Sequence, residues 1–212
     1  SSDYRFRLNE LYMLFWLNAV FLVWPAKRWV IPLTLFSFYF WAGRLKLNNE
    51  WLSGAVLYDD LWLIPTSLEP AACAYVVVLE IVISWGLLSS RPAVVWGALA
   101  QFAMFHIQSL SQIHWFYPAL MGTMLAWFVL EMRLGRPEGR ATLVPLLRGQ
   151  APRAAYALVG IFAVCQLLPF FYRGDSVLTG QGRAFALHMF QARQVCEVTA
   201  TIHGEGGTYE VR

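Results

Sequence analysis

Four ionisable side chains sit in sequence contexts too apolar to carry them without reason: Arg44, Lys46, Glu80 and His106. Arg44 and Lys46 close an apolar run inside the stretch from Tyr39 to Gly54, YFWAGRLKLNNEWLSG. A charge within a membrane span is costly and marks a functional site by default. A lysine amine drawn away from water can act as a base. The competing reading is two long basic side chains that snorkel to the headgroups at a helix end. Glu80 lies in the middle of its own apolar run. It is expected to be uncharged, or to pair with Arg44 or with the hydroxyl of Ser84 one turn on. An expected depth roughly 10 Å below Arg44 favours a structural role for it. His106, in MFHIQSLSQI, falls ~10 Å below the end of its helix, about level with Lys46. There it serves a site or an interhelical hydrogen bond. Gln101, Gln108 and Gln112 form a stripe on another face of that helix and read as interhelical glue.

The elements that must position these groups follow from composition. Of 212 residues, 58% are hydrophobic and 14% charged, with ten tryptophans and a mean hydropathy of +0.49. A soluble domain rarely has that balance. Apolar runs at 8–24, 29–47, 71–88, 93–113, 118–134 and 154–171 predict an all-α polytopic membrane protein with about six transmembrane helices. Pro32 falls in the first turn of the second run, where a missing N–H does little harm. Residues 1–172 form the helical transmembrane domain and 173–212 a tail. Within the tail, 185–191 reads as an amphipathic turn on the membrane. VCEVTATI, HGEGG and TYEVR read as a β-hairpin.

Charge orients the spans. Lys27, Arg28, Arg91, Arg133, Arg136, Arg140, Arg148 and Arg153 collect on one side, which the positive-inside rule makes cytoplasmic. The N-terminus, the acidic 48–70 loop and the tail are then extracytoplasmic, most simply across a bacterial inner membrane. The net charge of +3 sits mainly in loops and speaks to topology, so membrane lipids and no nucleic acid are the expected surroundings. Cys73, Cys165 and Cys196 form no CxxC, which excludes the usual redox and zinc motifs, and no metal site is expected. P-loop, Rossmann fingerprint, HExxH and nucleophile elbow are all missing from the sequence.

The wording of the lysine stretch adds a resemblance. Ala42, Gly43, Lys46, Leu47, Asn48, Glu50, Trp51 and Gly54 fall on the pattern F/W-A-G-x-x-K-L-(N/D)-x-(D/E)-W-(x)2-G. This resembles the signature of the vitamin K-dependent γ-carboxylase family, including its bacterial HTTM-domain relatives. Looser likenesses lie at 105–120 and in the tail segment LTGQGRAFALHMFQARQVCEVTATIHGEGG. The resemblance implies that Lys46 is the base that deprotonates a vitamin K-type hydroquinone (menaquinol), with His106 beside it. O2 and CO2 would be co-substrates, and a glutamate-containing peptide would be carboxylated. Ala42 and Gly43 would leave room for the flat ring, while Trp51, His114 and Met189 would line its approach. Arg44 and Glu80 would belong to a supporting charge network.

Two departures pull the other way. The family's upstream helices are missing from the sequence and its outer β-domain is reduced to a stub, so other membrane subunits are expected to supply helices. Leu45 also stands where animal members carry a second lysine. The alternative is therefore a catalytically degenerate relative that scaffolds a larger membrane complex, or holds a quinone or lipid. A transporter has little support, since no inverted repeat or paired broken helix is visible.

Overall fold

The computed structural model describes residues 9–57, 60–62, 64–112, 115–134, 141–172, 186–187, 200–204 and 207–211. Helix α1 (Asn9–Asn18) runs into a π-helical turn, Ala19–Val23, that ends ahead of Pro25. The chain then reverses at Ala26, whose φ of 59° is left-handed. Lys27 reaches back to donate to the carbonyls of Val20 and Phe21, which the end of a helix leaves exposed.

Helix α2 (Lys27–Leu45) is the centre of the fold and is flanked by α1, α4, α6 and α8. Its residues Val30 to Leu35 and Ser37 to Tyr39 are buried on every side, as expected of a helix apolar all round. Pro32 lies inside α2 rather than in its first turn. It withholds the N–H that would bond the Arg28 carbonyl. That carbonyl accepts instead from Ala141 N–H at 3.2 Å, so no backbone group is stranded.

After α2 come a short turn of helix, α3 (Asn49–Leu52), and a 3-10 turn, Thr66–Leu68. The latter leads into α4 (Glu69–Ile81), which tightens into a 3-10 segment at Ile83–Leu88. Helices α5 (Pro92–Ser109) and α6 (Phe116–Leu134), the short α7 (Leu143–Leu147) and α8 (Arg153–Leu167) complete the bundle. A 3-10 turn, Leu168–Phe171, caps α8. An ion pair at 3.5 Å between Arg28 and Glu131 ties the start of α2 to the end of α6. Edge-on rings form one core seam, with Phe162 of α8 within 5.3 to 5.9 Å of Trp16, Phe38 and Tyr12.

Two strands, β1 (Ala200–Gly204) and β2 (Gly207–Val211), pair antiparallel from Ala200↔Val211 to Gly204↔Gly207. Residues 195–199, expected to begin the first strand, lie outside the described residues. Of the expected amphipathic turn only Ala186 and Leu187 are described, and both are buried rather than laid on a membrane surface. Leu187 N–H donates to Gln166 Oε1 at 3.1 Å, and Gln166 Nε2 donates to Tyr12 Oη at 3.0 Å, pinning this part of the tail to α8 and α1.

The expectation of about six membrane spans is corrected. Among the described residues, two helical segments are long and apolar enough to cross a membrane: Thr66–Leu88 and Arg153–Phe171. Leu11–Val23 is apolar but too short. Helix α2 has adequate length but carries Lys27, Arg28 and Arg44 and is diluted by Trp, Tyr, Ser and Thr. Helix α5 is diluted by Gln101, His106 and Gln108, and α6 by Glu131 and Arg133. An aromatic-rich run reads as hydrophobic by count, although tryptophan and tyrosine favour the membrane interface over its core.

Candidate functional site

Tyr39, Gly43 and Lys46 stand at i, i+4 and i+7 and therefore share one face of the chain leaving α2. Cys73, Val77, Glu80 and Ser84 repeat in the same way along α4 and its 3-10 extension, and all four are buried. The two faces meet at Gly43. A Cβ at that position would lie 2.7 Å from Glu80 Cβ and 3.2 Å from the Glu80 backbone carbon, so only glycine permits this approach. Gly43 thereby sets the level of Glu80. Side chains on a helix tilt toward its N-terminus, so Lys46, one turn beyond Gly43, points back to that same level. Its Nζ donates to Glu80 Oε2 in an ion pair whose side chains are 7% and 0% exposed.

Local chemistry explains the turn that holds Lys46. Asn48 Nδ2 donates to the Leu45 carbonyl at 2.8 Å, and its Oδ1 accepts from Trp51 N–H at 2.8 Å. One side chain so closes α2 and caps α3. Gly54, with φ 79°, supplies the left-handed residue that releases the chain. Trp51 then turns its indole onto α4, donating to the Cys73 carbonyl at 2.8 Å, and its ring centroid lies 5.1 Å from Lys46 Nζ. Phe105 of α5 flanks the same amine at 5.7 Å.

His106, buried on α5, shares a 2.9 Å hydrogen bond between Nε2 and Tyr39 Oη. Phe102 stacks on the Tyr39 ring at 3.6 Å and 17°, and Tyr117 of α6 approaches the imidazole at 5.9 Å. His106 is within electrostatic reach of Lys46, and Tyr39 is within that of Glu80 and Tyr117. Lys46, Glu80, Tyr39 and His106 are therefore one buried polar cluster drawn from α2, α4 and α5. Four buried atoms in these elements and the 3-10 extension of α4, Glu69 Oε1, Glu80 Oε1, Ser84 Oγ and His106 Nδ1, have no hydrogen-bond partner among the described residues.

The expected site residues separate into groups. Lys46, Glu80, His106 and Trp51 come together. Gly43 joins them, but it makes room for a helix where room for a ring was expected. Ala42 is half-buried. Arg44 does not meet Glu80; it lies exposed over the rings of Trp41 and Phe170, 5.4 Å from each. Gln101 accepts a hydrogen bond from Tyr75 Oη, linking α5 to α4 as interhelical glue should. His114 and Met189 lie outside the described residues.

Sequence reasoning missed Tyr39 and Phe105. The signal for Tyr39 was its spacing, two turns before Lys46 on the same face. Phe105 carried no signal of its own beyond being next to His106. Comparison with protein-family models, with curated proteins and with solved structures finds no match to the chain.

Proposed function

We propose that the chain is an integral membrane protein in which Lys46 is a buried base toward an acidic aromatic hydroxyl of the vitamin K-type hydroquinone (menaquinol) class. One observation carries the reading: the lysine that the sequence resemblance singles out is buried against a carboxylate and walled by aromatic rings. Trp51 and Phe105 are flat apolar neighbours for a ring, and the unbonded Glu80 Oε1 and His106 Nδ1 are polar atoms that ring hydroxyls would satisfy. A donor set of this kind fits the group. When bound, such a hydroquinone supplies, with O2, a base strong enough to remove a glutamate γ-proton, which CO2 then replaces. The residues of this chain hold the ring and take its hydroxyl proton.

Membrane insertion is supported by what the two candidate spans leave uncovered. Only 39% of the apolar window in Thr66–Leu88 and 28% of that in Arg153–Phe171 is buried inside the protein. A core helix of a water-soluble protein would be mostly buried. Phe170 and Phe171 end the second span 67% and 83% exposed, a cost in water that an interface relieves.

Lys46→Gln is the variant that tests the proposal, because glutamine still offers a donor to Glu80 but cannot take up a proton. With a short-chain menaquinol, O2, CO2 and a glutamate peptide, epoxide formation should fall roughly 10²- to 10⁴-fold, the range for loss of a positioned base. The unfolding temperature should hold. Equal turnover in the variant and the parent would end the proposal.

A scaffold subunit is the second reading, favoured by the same uncovered surface. Tyr75, Val78, Val82 and Trp85 point out of the first span as a neighbouring subunit would require. Stoichiometric co-purification with other membrane polypeptides, without a quinone, would decide for it.

A further inference from the structure

The proposed base has a difficulty that the structure itself raises. A lysine held as a permanent ammonium against a carboxylate cannot accept a proton. We propose that Glu80 relays the proton for Lys46: amine and carboxyl hold a single proton between them, and Glu80 passes it to the amine from Oε2 as Oε1 takes the proton of substrate. This rests on the Lys46 reading above and adds a residue to it.

The geometry carries the argument. Glu80 Oε2 is bonded to Lys46 Nζ inside the protein, while its second oxygen, Oε1, is buried without a hydrogen-bond partner among the described residues. A carboxylate fixed as an anion in a dry site needs its lone pairs satisfied, or it costs several kcal/mol. One donor on one oxygen leaves that need unmet. A carboxylic acid donating to a neutral amine removes both charges and leaves at Oε1 a neutral carbonyl oxygen that a substrate hydroxyl can satisfy. No other described charge compensates the pair. Its neighbours from each packed element are Tyr39 of α2, Cys73 of α4, His106 of α5 and Tyr117 of α6, with the carboxyl of Glu69 near Cys73. Gly43 fixes the distance, because the two backbones touch at that level and allow the pair no slack.

Proton accounting closes. At rest the pair holds one proton between a neutral amine and a carboxylate. When substrate arrives, the hydroxyl O–H bond breaks and its electron pair stays on oxygen. That proton adds to Glu80 Oε1 as the Oε2–H bond breaks and its proton adds to Lys46 Nζ, giving an ammonium beside a Glu80 that is again a carboxylic acid. The single positive charge then faces the single negative charge produced on the substrate oxygen, and Tyr39 and His106 add no further charge. The excess proton leaves with the next exchange to water, and the pair returns to one proton.

The test uses the full chain in detergent or nanodiscs and has two readouts. The first needs no substrate: the infrared difference between wild type and Glu80→Gln, recorded in H2O and in D2O. A carboxylic-acid C=O band present in wild type, lost in the variant and shifted by deuterium, is the expected result. A wild type showing carboxylate bands alone would overturn the proposal. The second readout is quinol turnover against pH. Glu80→Gln should lower kcat roughly 100-fold with KM little changed, and alter the pH profile. Glu80→Asp, a shorter acid, should recover part of the loss. A Glu80→Gln protein with wild-type kcat and pH profile but a lower unfolding temperature would make Glu80 structural and sink the idea. If wild type shows the acid band but no quinol turnover, the shared proton stands and the proposed substrate falls.

Discussion

Arg44 and Lys46 are two residues apart at the end of one helix, and the protein treats them in opposite ways. Lys46 is buried and bonded to Glu80, whereas Arg44 is exposed and rests on Trp41 and Phe170. Depth along the helix cannot separate them, since two residues rise only ~3 Å. Phase can: two residues rotate by about 200°, so one cation faces α4 and the other faces away. Side-chain type then suits each place. A compact amine fits a small polar pocket, and a planar guanidinium stacks on rings while keeping its hydration. An exposed cation on aromatic rings and a buried amine on a carboxyl group therefore coexist within one turn.

The largest effect should come from breaking the buried side of this comparison. Lys46→Ala or Glu80→Ala alone leaves the other group of the pair buried without its partner and should cost about 3 kcal/mol of stability, the upper end for a buried polar group left unsatisfied. Replacing both at once, Lys46→Met with Glu80→Leu, should cost far less than the sum and come out near neutral. Unfolding followed by intrinsic tryptophan fluorescence in detergent would measure all three. Additive losses would show that the two residues do not act as a pair.

The next effect belongs to Gly43. A methyl group there meets Glu80 Cβ at 2.7 Å, so α2 and α4 must separate or shift. Gly43→Ala should cost about 1–3 kcal/mol, the range for overpacking. The same substitution should weaken the coupling between Lys46 and Glu80, because it acts on the contact that sets their level. Were Gly43→Ala neutral and the pair's coupling intact, the close approach would not be what positions Glu80.

How much of this could be read from the sequence depends on the residue. Helices formed where the apolar runs lie, because periodicity and length are local properties. The number of membrane spans was overread, because tryptophan, tyrosine and phenylalanine raise a hydrophobic count while three basic residues and scattered hydroxyls disqualify α2. That Lys46, His106 and Trp51 belong to one candidate site was legible from a motif and from the rarity of charge in apolar surroundings. The partner of Glu80 was not. Judging depth from the helix ends assumes that α2 and α4 end in one plane, and the contact at Gly43 sets a different level. A glycine in a helix shows that something comes close, but the sequence does not show what.

A smaller change probes the edge of the buried cluster. Tyr39→Phe removes the hydroxyl bonded to His106 Nε2 and keeps the ring stacked on Phe102. With Nδ1 already unbonded, the imidazole then loses its hydrogen bond as well. The cost should be about 1–3 kcal/mol, the penalty for a buried polar group left unsatisfied. Tyr39→Phe with His106→Leu should recover part of it, since removing both partners leaves nothing unsatisfied. A double variant no better than the single would place the tyrosine's contribution in its ring alone.

The exposed side of the comparison should give the least. Arg44 touches no carboxylate among the described residues, and its contacts are the faces of Trp41 and Phe170. Stacking of this kind at an exposed site is worth about 0.5–1 kcal/mol. Arg44→Gln should therefore cost at most that, and Arg44→Lys should cost nearly as much, because an ammonium keeps the charge but loses the planar fit. Phe170→Leu should produce the same small loss, and combining it with Arg44→Gln should add little, since both remove one contact. Thermal unfolding of the four proteins in one detergent decides the matter. A loss above 2 kcal/mol for Arg44→Gln would mean that the exposed cation carries structural weight comparable to the buried one, and that phase alone does not separate their roles.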